Sequence, residues 1–233
     1  MGRYPRAVLE PHDVLRYIDA ESTAAAATIL PETLDARVPS CPDWSLTDLI
    51  WHLGRVQRFW AKTVYAGDAE PEFPAEEGAP DDADDLDAWF RASTRELLDA
   101  LQAVAWDVPA WTWWKEDRTV GAIARHQVQE AAVHRWDAQL AAGGRPDPLP
   151  AKIAEDGVDE FLWIARQMRG PEPIAFHATD SGAMFSAGTD KALVTVSAAA
   201  SDLVLLLYGR VSADAVHIEG DEAALAPFLV AIG

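Results

Sequence analysis

The feature that most constrains this chain is a change of hydrophobic period near residue 170. Up to about residue 168, apolar side chains recur at helical spacing, and beyond Arg169-Gly170-Pro171 they alternate in short β-branched runs. Within 11–30, Val14, Leu15, Ile18, Ala25 and Ile29 fall on one helical face. The stripe is cleaner in 45–66, where Leu46, Leu49, Ile50, Leu53, Val56, Trp60 and Val64 recur. There Ser45 with Asp48 three residues on has the form of a capping box, and Pro42 lies just before it. Segment 84–104 repeats the theme with Leu86, Phe90, Leu97, Leu101 and Val104. Segment 119–142 runs from Thr119 to a Gly143-Gly144 stop, and 152–168 carries Val158, Phe161, Leu162, Ala165 and Met168. Helices of this length in series predict a bundle.

Past residue 170 the pattern predicts strands over 174–179 and 192–197, with turns at Asp180-Ser181-Gly182 and Gly188-Thr189-Asp190. Ser201 is placed to cap a short helix over 202–208 that stops at Gly209; a strand over 215–219 and a helix over 221–231 follow. The expected fold class is α+β, mainly α. A helical bundle over 1–168 precedes a small α+β C-terminal domain over 171–233. That tail is too short to build a strong core alone, so it is expected to dock on the bundle. Segment 67–87 is acidic without a Lys or Arg, a solvated loop long enough to serve as a lid.

Charge narrows the function classes. With 38 acidic against 19 basic residues the net charge is −19, which opposes broad binding to nucleic-acid phosphates and to anionic membranes. The longest strongly apolar run, 203–208, is far short of the ~20 residues a membrane helix needs. The N-terminus lacks the apolar segment of a secretory signal. A single cysteine, Cys41, forms no internal disulfide and no cysteine-based zinc site; in its pre-helix turn it reads as packing. The expectation is a cytoplasmic protein with a small-molecule partner, neither nucleic-acid- nor membrane-bound, its oligomeric state open.

The stretch richest in chemistry is RHQVQEAAVHRWDA, residues 125–138. His126, Glu130 and His134 recur every four residues on one helical face, at ~6 Å per step along the axis. A Glu and a His so spaced can supply two ligands to a divalent metal, and equally form a solvated ion pair. A third ligand has to come from elsewhere. His52 sits at the border of the apolar stripe of 45–66 and can point into a bundle interior, as a ligand or as a hydrogen-bonded core histidine.

Several segments in order carry a family resemblance. VPSCPDWSLTDLIWHLGRV (38–56), RTVGAIARHQVQEAAVHRWDAQLAAG (118–143) and DPLPAKIAEDGVDEFL (147–162) are followed by HATD (177–180), ASDLVLLLYGRV (200–211) and HIEGDEAAL (217–225). Together they resemble the mycothiol-dependent maleylpyruvate isomerase family, a branch of the DinB-like metalloenzyme superfamily, over nearly the whole chain. The resemblance implies a DinB-like helical bundle with a small α+β second domain. It puts His52, Glu130 and His134 on the family's metal triad, with zinc the expected ion. The sequence departs from the family at Gln129, Asp43 and Phe185, where His, Gly and Trp are common. These departures leave the three ligands in place and bear on substrate identity.

The resemblance further implies mycothiol, a cysteinyl thiol of actinobacteria, as cosubstrate. A cation beside a thiol whose free pKa is near ~8.5 favours the nucleophilic thiolate. The implied enzyme adds that thiolate to an electrophilic small molecule, such as a dicarboxylate, with cis–trans isomerisation of maleylpyruvate as prototype. A mycothiol S-transferase for detoxification or biosynthesis, and a non-catalytic metal or small-ligand binder, are the alternatives. Arg210, ending YGR, matches a family position for gripping substrate carboxylate and is the expected catalytic residue; it equally suits the last carbonyls of its helix. His126 reads as an outer residue of the site, a proton shuttle or a solvated group. Trp111, Trp113 and Trp114 read as core filling or as a wall excluding water. Asp180 reads as a ligand-orienting group or as part of a turn.

Overall fold

The computed structural model describes residues 9–72, 78–170, 172–188, 191–225 and 228–229. Four long helices come first: α1 (Pro11–Ala26), α2 (Leu46–Ala66), α3 (Ala83–Ala103) and α4 (Val120–Ala141). Local chemistry sets their starts. Ser45 accepts from the Asp48 amide while the Asp48 carboxylate accepts from the Ser45 amide, so the expected capping box starts α2. Asp82 caps α3 and Thr119 caps α4 through the amides of Asp85 and Ala122. α1 packs on α3 and α4, and α2 packs on the same two helices. The pairs α1/α2 and α3/α4 are therefore diagonal, joined by crossing connections rather than tight turns.

The first crossing contains an element absent from the expectation. β1 (Arg37–Val38) and β2 (Cys41–Ser45) form an antiparallel hairpin with Pro39 and Ser40 at its tip. Leu46, Leu49, Ile50, Leu53, Leu86, Phe90 and Val38 fill one continuous core, with Cys41 and Trp44 packed against it. Cys41 is thus a packing residue here. A buried polar chain crosses the same bundle: Gln57 donates to Ser22 at 2.9 Å and accepts from Thr94 at 2.9 Å, linking α1, α2 and α3.

By its contacts the chain divides into two compact units, and the division falls at 147/148 rather than at 168–171. Glu10–Asp147 forms one. The described residues from Pro148 onward belong to the other, including α5 (Ala151–Arg169), which the expectation had assigned to the bundle. The reason lies in what α5 buries itself against: its principal helix neighbour is α6 (Ala200–Leu207). A mixed sheet completes this unit in the order β4 (Met184–Ser186), β3 (Ile174–Ala178), β5 (Val194–Ala198), β6 (His217–Gly220). β3 and β5 are parallel, and the two outer pairings are antiparallel. The fold is α+β and mainly α.

Three local expectations for this unit need correction. β4 falls between the two expected strands; three residues long and largely exposed, it shows no alternation to read. The N-cap of α6 is Ala199, and Ser201 instead accepts from the Leu149 amide at 2.9 Å, holding the segment before α5. Of the expected helix over 221–231, Glu222–Ala224 is a single 3₁₀ turn, while 226, 227, 230 and 231 lie outside the described residues. So do Thr189 and Asp190 of one expected turn and 73–77 of the acidic segment. No helix among the described residues is long and apolar enough to cross a membrane.

Gly54, two residues from His52, shows how tightly α2 meets α3. A Cβ there would lie 2.4 Å from Cζ3 and 2.8 Å from Cη2 of Trp89. Gly54→Ala must displace that indole and is expected to destabilise the protein by about 1–3 kcal/mol, despite the better helix propensity of alanine. Urea unfolding checks this, with wild-type helical circular dichroism retained in the folded baseline.

Candidate metal centre

α2 and α4 are direct neighbours, and their contact brings together three side chains far apart in sequence. His52 on α2 and Glu130 and His134 on α4 offer ligand atoms that all lie within 4.8 Å of one another. Glu130 and His134 share a face because they are one helical turn apart, with Nε2 of His134 3.6 Å from Oε2 of Glu130. The His52 ring meets the His134 ring edge-on at 5.4 Å and the Trp44 indole at 4.8 Å. Trp44, delivered by β2, thus packs against the α2 imidazole.

The chemistry of the donors fits a divalent cation. Two imidazole nitrogens and a carboxylate oxygen suit zinc and similar ions, and three protein ligands leave room for an exogenous one. An imidazole binds metal only when neutral. Burial first, and then the neighbouring His134, depress the His52 pKa to about 4, with Glu130 partly opposing. His52 is therefore neutral throughout the physiological range.

The other singled-out residues divide into two groups. His126 is buried, and its Nε2 lies 3.6 Å from Oε1 of Glu130, the oxygen other than the one facing His134. The rings of Trp114, Trp113 and Trp60 stand 5.2, 5.9 and 6.1 Å from it. Trp111 packs instead on Phe59 and Trp60. Trp114 is buried, whereas Trp113 is 47% exposed, so the cluster is part core and part surface. Asp180 accepts from the Ala200 amide at 3.1 Å at the start of α6, a helix-end role. Nearby Asp202 has its pKa raised by burial and by Asp180. Arg210, in the second unit, donates from Nη1 to the Tyr208 carbonyl at 2.6 Å, just past the end of α6.

Two features of the site were not anticipated from sequence. A cleft of about 470 Å³ opens beside His52, lined by Asp43, Trp44, Asp48, Trp51, His52, Arg55 and Val56. The Arg55 guanidinium lies over the Trp51 ring, 4.5 Å from its centroid. The second feature lies behind His134, whose Nδ1 is 3.0 Å from Oδ2 of Asp137, while Oδ1 of Asp137 accepts from the Ser40 hydroxyl at 2.6 Å. Asp137 stands at i+3 from His134, a legible spacing; Ser40, 97 residues away, carried no signal.

A bundle whose neighbouring helices present two histidines and a glutamate defines a class of helical proteins with an internal metal-type donor set. Family comparison makes the class specific. Residues 15–139 match the mycothiol maleylpyruvate isomerase N-terminal domain, and residues 152–227 match the MDMPI C-terminal domain. The chain belongs to the mycothiol maleylpyruvate isomerase family. Crystal structures of the mycothiol-dependent maleylpyruvate isomerase and of a point mutant of it share the fold, each with a TM-score of 0.72. The identities are 14% and 13%, over 91% of this chain and 93% of the other. Among curated proteins, no sequence matches.

The depressed His52 pKa has a consequence for the metal-free protein. The folded state holds His52 neutral down to about pH 4, whereas the unfolded chain takes up a proton near 6.5. Between those values the unfolded state binds more protons, so stability is full above about 6.5 and is lost as the pH falls toward 4. Replacing His52 by Asn is expected to reduce this acid-side loss by on the order of 2 kcal/mol. Urea titrations of both metal-free proteins at pH 7 and pH 4.5 measure the difference.

Proposed function

We propose that this protein is a mycothiol-dependent metalloenzyme of cis–trans isomerisation type, with His52, Glu130 and His134 as its metal ligands. The observation that carries the reading is the convergence of those three donors from α2 and α4 within 4.8 Å, beside an open cleft. Family membership supplies the cosubstrate class, and the maleylpyruvate named for the fold relatives supplies the prototype substrate. A divalent ion, zinc by preference of an imidazole–carboxylate set, would supply the positive charge that favours a thiol's ionised form.

The protein's own residues then have distinct tasks. His52 and His134 hold their donor nitrogens against a carboxylate that reduces the net charge of the site. The cleft has the volume of a small-molecule site and bounds His52 with the indoles of Trp44 and Trp51. The thiolate sulfur forms a bond to one carbon of an activated cis double bond, and the electron pair moves onto the conjugated carbonyl. Rotation about the new single bond and expulsion of the same sulfur return the trans double bond, so no atom is gained or lost. An S-transferase shares the addition but not the expulsion: the enolate takes a proton, equivalent to the one the thiol lost, and the thioether remains. In this reading Arg210 grips a substrate carboxylate, which a planar guanidinium does bidentately.

Three outcomes test the proposal. The purified protein is expected to hold about one divalent ion per chain, and His134→Ala to lose most of it while keeping its helical circular dichroism. Full occupancy in a His52/His134 double alanine variant rejects the ligand set. Incubation of the holoprotein with mycothiol and maleylpyruvate is expected to give the trans isomer with mycothiol recovered unchanged. A stable thioether product instead establishes the transferase, and no turnover of any electrophile leaves a binding protein. Arg210→Lys keeps the charge but loses the fork, so kcat/KM should fall about 10- to 100-fold, some 1.5–3 kcal/mol. Metal content and Tm should stay at wild-type values.

A further inference from the structure

We infer that Asp137 and Ser40 are positioning residues that fix the ring and the tautomer of His134. The inference rests on the reading of His134 as a metal ligand and concerns a residue pair that contacts no substrate. Asp137 is fully buried, and its two oxygens face two different partners. Oδ2 lies 3.0 Å from Nδ1 of His134, one helical turn back on α4. Oδ1 accepts from the Ser40 hydroxyl at 2.6 Å.

A carboxylate only accepts hydrogen bonds, so the proton of a neutral His134 belongs on Nδ1. The lone pair is then left on Nε2, the nitrogen that faces Glu130 at 3.6 Å. The opposite tautomer would set a lone pair against a buried carboxylate and a proton where the donor atom is needed. The second oxygen matters for a different reason. Asp137 sits on a helix, and its side chain could swing about its own torsions without a second anchor. Ser40 provides that anchor from the tip of the β1–β2 hairpin, whose register of Val38 opposite Cys41 places Pro39 and Ser40 in the turn. The hairpin is thereby tied to the donor set through two hydrogen bonds. Partners of this kind behind a ligating histidine orient the ring and raise its basicity.

Two measurements on the full-length protein test the inference. Long-range ¹H–¹⁵N spectra of the metal-free wild type at neutral pH read the tautomer directly, with His134 assigned by its loss in His134→Ala. His134 is expected protonated on Nδ1, and this population should fall in Asp137→Asn. Zinc affinity, measured by competition with a chromophoric chelator, is expected to drop 10- to 100-fold in Asp137→Asn. It should drop several-fold in Ser40→Ala and be restored in Ser40→Thr, which a loss of general stability would not produce. An Nε2-protonated His134 in the wild type overturns the inference, as does a folded Asp137→Asn variant with wild-type zinc affinity. Should Asp137→Asn fail to fold, the wild-type tautomer and the Ser40 pair still decide. A wild type that takes up no zinc rejects the ligand reading itself, and the tautomer measurement still decides whether Asp137 positions the ring.

Discussion

The structure turns on a helix that is buried on most of its circumference yet carries charge. α4 buries Ile123, Val128, Ala131, Ala132 and Val133, as a core helix should, but also His126, Arg135 and Asp137. Polar or charged groups left unpaired in such surroundings are costly, an ionised one by several kcal/mol. Every one of them therefore has to meet a partner, and the partners dictate where the neighbouring elements lie. Arg135 donates to Glu21 of α1 at 2.7 Å, to Gln139 at 2.8 Å and to the Asp147 carbonyl. Asp137 needs the hairpin, and Glu130 stands between two histidines of its own helix.

Helical geometry separates these partners by function. Residues 126, 130, 134 and 137 follow one another at intervals of four, four and three, so they line a single face. Arg135 and Gln139 project nearly half a turn away, toward α1 and the Asp147 carbonyl. One side anchors the helix within its bundle, and the opposite side holds the donor set against α2. The Arg135–Glu21 pair contributes little net stability by itself, because desolvation offsets the Coulomb attraction. Its effect is on specificity: a rotation of α4 that misaligned Glu130 and His134 would also break a buried ion pair.

How much of this was legible depended on how local the cause was. The capping box of α2 and the Glu130–His134 spacing are determined within four residues, and both are present as read. His52 was legible as a border position on an amphipathic stripe; its meeting with α4 required the diagonal arrangement of the bundle. The β1–β2 hairpin was hidden because Pro39 and Pro42 interrupt any alternation, and its pairing is only a few residues long. The membership of α5 was hidden for a related reason. An amphipathic face announces burial but not the surface it is buried against, and a continuous helical period from 11 to 168 gave no cue that α5 packs on α6. Ser201 illustrates the same gap: a hydroxyl at a helix start suits a cap, and a longer-range amide claimed it instead.

The hairpin joins these strands of argument. It supplies Trp44 to the ring of His52 and Ser40 to Asp137 behind His134, so one short element meets one imidazole directly and reaches the other through Asp137. Neither contact adds a ligand. Each removes a rotational freedom from a side chain whose donor nitrogen must face the same point as two others, and ordering a rotamer before binding lowers the entropic cost of binding. Two histidines on two helices would, without that element, have only helix packing to set their ring orientations. The crossing connection between α1 and α2 is long because those helices are diagonal, and that length leaves room for the hairpin beside the site. The bundle topology thus determines where the donors meet and also what holds them there.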